Sequence, residues 1–216
     1  DVGLPILARH RTRATFYVSL PSVAERLEGW RAAVAAGHEI GNHSMRHPCT
    51  ANFRWQTDSV LERYTLEAME AELLEANRAI AELLGVRPRT FAYPCGQEFV
   101  GSGVERRSYA PLVARHFLAG RGFRDEYLNS PEVCDLARVA GTEIDGIEAE
   151  GMVAALERAA AGGQWLVWAG HEIGPAGRQT TIADALDRFC AYCAEPANGV
   201  WIDSVATVAA YVAANR

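Results

Sequence analysis

Short apolar runs that alternate with amphipathic helical segments most constrain how this chain folds. The clearest helical pattern covers Leu66–Leu84, where apolar residues recur at intervals of three and four. Further helical patterns cover residues 4–8, 153–161, 182–193 and 205–213. The strand candidates are residues 14–20, 38–42, 90–93, 117–120, 136–140, 165–169 and 200–202. This alternation predicts an α/β fold in which helices cover a parallel sheet.

Seven strand candidates fit either a (β/α) barrel that is one strand short or an open doubly wound sheet. A chain of 216 residues with 49% hydrophobic residues has the size and balance of one globular domain, which we expect to cover residues 1–216. In both architectures, the loops after the carboxyl ends of the strands carry the functional side chains. Those loops are therefore where we look for chemistry.

The charge and hydropathy of the chain argue against several partners. A formal net charge of -6 provides no basic surface of the kind that gathers nucleic acid or anionic lipid. No apolar run approaches the roughly 20 residues that cross a bilayer, and residues 1–13 lack the order of a signal peptide. We expect a soluble domain of undetermined oligomeric state. Because the sequence opens inside a predicted helix without an initiator Met, we also expect an upstream segment.

The five cysteines are an odd number in a chain too large to need disulfide staples, so we expect reduced thiols. Reduced thiols slightly favour a cytoplasmic location, although the compartment stays undetermined. Cys190 and Cys193 form a C-x-x-C within a helical pattern and have no second cysteine pair. We interpret them as small buried hydrophobic residues rather than as a redox or zinc motif.

The densest polar segment is residues 37–48, which contains three of the six histidines. His43 and His47 are four residues apart, so a turn or a single helical turn places both imidazoles on one side, where they can bind one divalent ion. Spacing alone favours a pair of ordinary surface histidines. Their position directly after a strand candidate favours the metal site instead.

Two other strand candidates end in reactive residues. His171 follows residues 165–169 and could act as a general acid, or it could simply cap a helix; Glu172 is a competing metal ligand or base. The turn at residues 94–97 could offer the backbone N–H of Cys95 to an oxyanion, although a plain turn is the commoner meaning. Tyr93 and Trp55 are candidates for substrate binding, and Trp55 could equally pack a loop.

Taken in order, these segments resemble the polysaccharide deacetylase family, also called carbohydrate esterase family four or the NodB-homology domain. The matching segments are A-T-F-Y-V at residues 14–18, G-H-E-I-G-N-H-S-M-R-H at residues 37–47, the Pro94-Cys95-Gly96 turn, His171 and the closing residues 200–205. The resemblance implies a distorted (β/α) barrel. It also implies that this chain lacks the first strand of that barrel.

Carried over residue by residue, the resemblance makes His43 and His47 metal ligands and His171 the general acid. The cofactor it implies is one divalent metal, with zinc (Zn²⁺) favoured over cobalt, nickel and manganese. The family's third ligand and its catalytic base lie in a T-F-D-D motif, which is absent here and which we expect upstream of Asp1. The chain as written should therefore have little or no activity.

The sequence departs from the family pattern in the third motif. Ala92 stands where the family commonly has an Arg that orients the base, and Cys95 stands where it has a Tyr. A backbone N–H survives the second change, whereas the orienting cation must come from elsewhere, with Arg138 as a candidate. The carboxylate partner of His171 is to be sought among three unranked residues: Asp135, Glu143 and Asp145.

The expected reaction is hydrolysis of an N- or O-linked acetyl group on a carbohydrate. One alternative is a metal-dependent amidase of the same fold acting on a small nitrogen compound, because fold does not determine substrate. Another is a non-catalytic carbohydrate-binding relative. Aromatic surface beside the metal favours a sugar, and a closed polar pocket favours a small amide.

Overall fold

Ten short strands and eight α-helices alternate along residues 2–55 and 58–216, the part of the chain that this computed structural model describes. The strands are β1 (Thr15–Val18), β2 (Glu39–Asn42), β3 (Thr90–Ala92), β4 (Phe99–Val100), β5 (Arg107–Ser108), β6 (Ala119–Arg121), β7 (Thr142–Glu143), β8 (Trp168–Ala169), β9 (Glu172–Gly174) and β10 (Thr180–Ile182). The helices are α1 (Gly3–Arg9), α2 (Leu20–Glu25), α3 (Leu27–Ala35), α4 (Leu66–Leu84), α5 (Ala110–His116), α6 (Ala149–Ala161), α7 (Ala183–Ala194) and α8 (Val205–Ala214).

The central sheet contains four parallel strands in the order β1-β2-β3-β6. A bridge between Arg121 and Val139 leads from β6 towards the parallel pair β7-β8. Parallel strands separated by helices confirm the predicted α/β fold, which is that of a distorted (β/α) barrel. All these carboxyl ends lie at one edge, and residues that follow neighbouring strands are brought together there.

The barrel is open between β1 and β8 in the described part of the chain. A cavity of about 310 Å³ lies there, lined by residues 12–17 on one side and 165–171 on the other. Within the described residues, β1 pairs with β2 alone and β8 with β7 alone, so each has one unpaired edge. The sheet therefore curves without closing.

Helix α4 matches the sequence prediction because periodicity and both caps agree. The Thr65 hydroxyl accepts a hydrogen bond from the Ala68 N–H, and Gly85 ends the helix with a positive φ of 69°. Met69, Leu73 and Ile80 lie on one face and are completely buried. Burying each side chain contributes about 1.5–3 kcal/mol, which fixes α4 against the sheet.

Three predicted strands are shorter than expected or absent. Residues 136–140 instead form a 3₁₀ turn over Leu136–Arg138, because the Asp135 carboxylate accepts the Ala137 N–H and stabilises a tight turn. Of residues 165–169, only Trp168 and Ala169 form a strand, β8, and Trp165 forms an isolated antiparallel bridge with Asn129, while residues 200–202 form no strand in the described chain. A run of apolar residues indicates that a segment is buried. A buried segment need not form the backbone hydrogen bonds of a sheet.

The Tyr93 side chain lies in the core, which corrects its predicted contact with substrate. It is completely buried among aromatic rings, including those of Phe91 and Tyr109, and its hydroxyl donates to the Ala137 carbonyl at 2.6 Å. A phenol that is both buried and hydrogen-bonded stabilises the fold.

Within residues 2–55 and 58–216, no helix is long and apolar enough to cross a membrane.

Candidate active site

Two imidazoles face each other just beyond β2. The Nδ1–H of His43 donates to the Ala92 carbonyl at 2.8 Å, and the ring centroids of His43 and His47 are 4.7 Å apart. Because the carbonyl can only accept, this hydrogen bond fixes the tautomer and leaves Nε2 of His43 as an acceptor. A backbone oxygen that orients a histidine in this way is typical of a metal ligand.

The loop that carries these histidines is an irregular turn rather than a helix. Ser44 and His47 have positive φ angles of 64° and 52°, which are uncommon for residues with side chains. Asn42 Oδ1 accepts the Ser44 N–H at 2.7 Å, and Ser44 Oγ accepts the His47 N–H at 3.0 Å. These side-chain hydrogen bonds hold the turn and bring the two rings together.

Burial keeps both histidines neutral. Desolvation, followed by the positive charge of Arg121 and by repulsion between the two imidazoles, lowers the pKa of His43 to about 3. Desolvation is also the main cause that lowers the pKa of His47 from its usual value. A neutral imidazole is the form that binds a metal, so the pair is available as ligands throughout the physiological pH range.

His171 and Asp145 form a second pair across β7 and β8. The register of these strands places Glu143 beside Ala169, so the residues two positions further on also meet. His171 Nδ1–H donates to Asp145 Oδ2 at 2.6 Å, and the ring lies edge-on against Phe123 with centroids 5.3 Å apart. Electrostatic repulsion from His171 is among the causes that lower the pKa of His43 and of His47, so both pairs lie in one electrostatic environment.

Cys95 occupies a tight turn beside the histidine loop. It has a φ of 54° within the 3₁₀ turn Pro94–Gly96, and a disulfide joins it to Cys49 with a Cα–Cα distance of 6.2 Å. The expectation of five reduced thiols is therefore wrong for this pair, which also removes its support for a cytoplasmic location. Cys134, Cys190 and Cys193 are free, and the last two are buried on α7 as predicted.

Arg121 is a half-buried cation at the carboxyl end of β6. The register pairs it with Ala92, and the small side chain of that residue leaves room for the guanidinium. Its NH1 donates to the Gly122 carbonyl at 3.2 Å, and the guanidinium lies 4.8 Å from the centroid of the Tyr17 ring. It forms no ion pair with any carboxylate of residues 2–55 and 58–216, and desolvation lowers its pKa.

Exposed aromatic rings lie beside the histidine loop. The rings of Phe53 and Trp55 are stacked with centroids 5.4 Å apart, and the Trp55 centroid is 6.2 Å from that of His47. Trp55 is 59% exposed, so its face is accessible to a ligand rather than packed against a loop. A polar cavity of about 560 Å³ begins nearby, lined by residues that include Thr50, Asn52 and Gln97.

Comparison with known proteins shows which proteins this chain is similar to. Residues 2–103 match the family model described as polysaccharide deacetylase. This segment is therefore similar to the polysaccharide deacetylase family. It is 32% identical over 93 residues to the uncharacterized protein YlxY of Bacillus subtilis, a match that covers 43% of this chain and 26% of that protein.

A second relative has a named activity. The chain is 39% identical over 77 residues to a chitooligosaccharide deacetylase of Sinorhizobium fredii, and the match covers 36% of this chain and 31% of that enzyme. The matched segments therefore span less than a third of either relative. A solved structure of a candidate polysaccharide deacetylase from Mycobacterium smegmatis shares the fold, with a TM-score of 0.67, 18% identity and coverage of 98% of this chain and 75% of that chain.

The structure shows the partners of the acidic residues and of Arg138, whose roles the sequence alone did not determine. Asp145 is the candidate that meets His171, whereas Asp135 accepts the Ala137 N–H and Glu143 pairs with Arg124. Arg138 forms ion pairs with Asp125 at 2.8 Å and with Glu98 at 3.2 Å. Neither of these carboxylates is a partner of His43 or His47. Glu172 accepts a hydrogen bond from Thr180 and does not join His43 and His47.

Sequence analysis missed Arg121 and the Cys49–Cys95 pairing. The same signal that singled out His43 and His171, a polar residue at the end of an apolar run, would have identified Arg121. No local pattern indicates which two of the five cysteines meet. Among the described residues, the group of three that could hold a metal is His47, Cys49 and Cys95, and it contains no carboxylate.

Proposed function

We propose that this domain hydrolyses N- or O-linked acetyl groups of a carbohydrate with a divalent metal bound by His43 and His47. The observation that carries the proposal is the orientation of His43. Its Nδ1–H donates to the Ala92 carbonyl, so the lone pair of Nε2 is available to bind a metal. Two neutral imidazole nitrogens suit zinc, with cobalt, nickel and manganese as further possibilities. A metal bound there would polarise an acyl carbonyl and acidify a water molecule.

The chain's own residues supply the remaining steps of this proposal. His171, oriented by Asp145, protonates the leaving amine or alcohol. The Cys95 N–H donates a hydrogen bond to the oxyanion. Cys95 has a positive φ, which changes the direction of the backbone within this turn. The stacked Phe53 and Trp55 rings support a carbohydrate substrate, because sugar faces pack on exposed aromatic surfaces beside a catalytic group.

Arg121 is proposed as the cation that orients the catalytic base. The family pattern places that Arg at position 92, and here Ala92 is paired in register with Arg121 on the neighbouring strand. The cation is therefore supplied by β6 instead of β3. Its charge still acts on His43, because it lowers the pKa of that histidine. Arg138 stays a prediction for the same role, although its charge is already matched by Asp125 and Glu98.

The base itself is not among the described residues near the histidine pair. The family resemblance expects an aspartate that both binds the metal and removes the proton of the water. We therefore expect weak metal binding and little turnover from the 216 residues. Both should increase when a T-F-D-D strand is supplied ahead of residue 1.

Metal binding by non-reduced protein tests the proposal. His43→Ala should remove the weak Zn²⁺ binding that equilibrium dialysis measures, whereas His116→Ala, which alters a histidine paired with Glu70 of α4, should retain it. Acetate release from chitooligosaccharides should follow the same order in a version extended by a T-F-D-D strand. Equal zinc content and equal rates in His43→Ala and the parent protein would refute the assignment.

A further inference from the structure

The Cys49–Cys95 disulfide lies within reach of a third potential ligand. Nδ1 of His47 is 3.6 Å from Cys49 Sγ, and the three ligand atoms of His47, Cys49 and Cys95 lie within 4.8 Å of one another. Cys49 is completely buried, so neighbouring protein atoms surround its sulfur. The two cysteines are 46 residues apart in sequence and come together only in the folded chain.

These three groups form a recognised ligand set once the disulfide is reduced. Two thiolates and one imidazole bind zinc at about 2.3 Å and 2.0 Å in tetrahedral sites, so their ligand atoms lie roughly 3–4 Å apart. Cys49 Sγ and His47 Nδ1 already lie at such a distance, and the two sulfurs, which are bonded in the disulfide, move apart to it once the bond is reduced. A fourth, open position would remain for water or substrate.

We propose that residues 47–49 and 95 alternate between a disulfide and a zinc-binding Cys₂His site. A small dithiol reduces the Cys49–Cys95 bond and is itself oxidised to a disulfide, and each cysteine sulfur gains a proton. Binding of Zn²⁺ then displaces both protons and forms two Zn–S bonds and one bond to His47 Nδ1. In the reverse direction a small-molecule disulfide takes up the two electrons and two protons from solvent and becomes a dithiol, while the Cys49–Cys95 bond re-forms and the ion is released.

The alternation would connect redox state to the proposed deacetylase site. When His47 Nδ1 binds the ion of the sulfur site, Nε2 carries the ring proton and is not a ligand for a metal shared with His43, so the two sites compete for His47. Cys95 supplies the backbone N–H of the oxyanion turn, and its side chain is the one that changes partner. The inference itself does not depend on deacetylase activity, because it concerns metal binding by reduced protein.

Cobalt is a suitable probe because thiolate-to-Co²⁺ charge transfer gives an intense absorption that imidazole ligands alone do not produce. The 216-residue protein would be reduced with dithiothreitol, desalted without oxygen and titrated with Co²⁺. We expect one equivalent to produce this absorption in reduced protein and none in oxidised protein. Cys49→Ser and Cys95→Ser should each abolish it, whereas Cys134→Ser, at a free cysteine, should retain it.

Thiol labelling of the unaltered protein provides a readout that does not depend on variants. Non-reduced protein should present three thiols under denaturing conditions, because three cysteines are free, and reduced protein five. Zn²⁺ should protect Cys49 and Cys95 from alkylation in the folded reduced protein, as located by peptide mass spectrometry. Five thiols before reduction would refute the disulfide state, and full alkylation with zinc present would refute the metal site.

His43→Ala separates this inference from the proposed function. The variant should lose Zn²⁺ binding in oxidised protein and keep the thiolate absorption with Co²⁺ in reduced protein. Loss of the thiolate absorption in His43→Ala would show that the two sets of ligands form a single site, which contradicts the alternation.

Discussion

His171 Nδ1–H donates to Asp145 Oδ2 at 2.6 Å, while Asp145 Oδ1 accepts the backbone N–H of the same histidine at 3.2 Å. The Asp145 side chain is 3% exposed and that of His171 is 41% exposed, so the carboxylate is fixed and the ring reaches solvent. Thr181 donates a third hydrogen bond to the carboxylate. Asp145 therefore fixes Nδ1 as the protonated ring nitrogen of His171 and leaves Nε2, which lies 3.2 Å from Gln179 Nε2, as the acceptor.

Asp145→Asn should disturb His171 without affecting metal binding. The amide can donate where the carboxylate only accepts, so the ring loses its fixed tautomer. We expect kcat of a T-F-D-D-extended version to fall by about 10- to 100-fold, part of the full contribution of a general acid, with KM little changed. The slowly exchanging Nδ1–H resonance of His171 should also disappear from the NMR spectrum.

Asp135→Asn is the matched control for Asp145→Asn. Its carboxylate accepts the Ala137 N–H, which an asparagine side chain can also accept, so the His171 resonance and kcat should both be retained. An unchanged Nδ1–H signal in Asp145→Asn would show that the hydrogen bond does not persist in solution.

Arg121→Met should raise the pKa of His43. After desolvation, the Arg121 charge is the largest cause that lowers this pKa to about 3, so its removal moves the value up towards 6.5. Titration of metal-free protein by histidine NMR measures the shift. Arg124→Met removes a cation that pairs with the exposed side of Glu143, and it should leave the titration of His43 in place.

The sequence predicts the site best where local pattern determines position. His43 and His171 each follow an apolar run, and the parallel sheet then brings the strand ends to one edge without further information. Helix α4 was predictable for a similar reason, because Thr65, Gly85 and the periodicity of its apolar residues all specify the same bounds. Local rules and the global fold agree at these positions.

Pairings between distant segments were not predictable in the same way. Asp145 and His171 meet because Thr142 and Trp168 are in register, and three acidic residues in that region satisfy every local criterion equally. The partners of Cys49 and Arg138 also depend on tertiary packing. Residues 136–140 show the opposite failure, since an apolar run that looks like a strand is bent into a turn by the Asp135 carboxylate.

Acid should destabilise the metal-free protein through His43. Burial lowers its folded pKa to about 3, whereas the unfolded value is near 6.5. Below pH 6.5 the unfolded chain therefore takes up a proton that the folded chain does not bind. The free energy of unfolding is fully retained above pH 6.5 and falls as the pH drops towards 3, by up to about 1.4 kcal/mol per pH unit for one proton.

Urea denaturation between pH 7.5 and 4.5 in the presence of a chelator measures this loss. His47, whose pKa is also lowered by burial, contributes in the same direction. In His43→Gln one titrating group is absent, so the free energy of unfolding should depend less steeply on pH. An equal slope in the variant and the parent protein would contradict the buried, neutral state of His43.

Glu72 should stabilise the histidine loop from the neighbouring helix α4. Its side chain is 1% exposed; Oε1 accepts the Arg46 N–H at 2.6 Å, and Oε2 accepts the Arg46 guanidinium at 2.8 Å and the Tyr64 hydroxyl at 3.1 Å. Glu72→Ala leaves these donors without an acceptor and should lower the free energy of unfolding by about 2–3 kcal/mol. The affinity of non-reduced protein for Zn²⁺ should fall as well, because the backbone between His43 and His47 loses its anchor.

Glu75→Ala distinguishes this anchoring from a general effect of charge on α4. Glu75 lies one turn further along, is 42% exposed at its side chain and approaches the Arg46 guanidinium only to 3.9 Å. Removing so exposed a partner should change the free energy of unfolding by about 0.5 kcal/mol or less and leave zinc affinity unaltered. If both variants weakened zinc binding equally, the zinc affinity of the histidine loop would depend on the overall charge of α4. A loss confined to Glu72→Ala would locate the effect in the three hydrogen bonds that hold Arg46 and Tyr64.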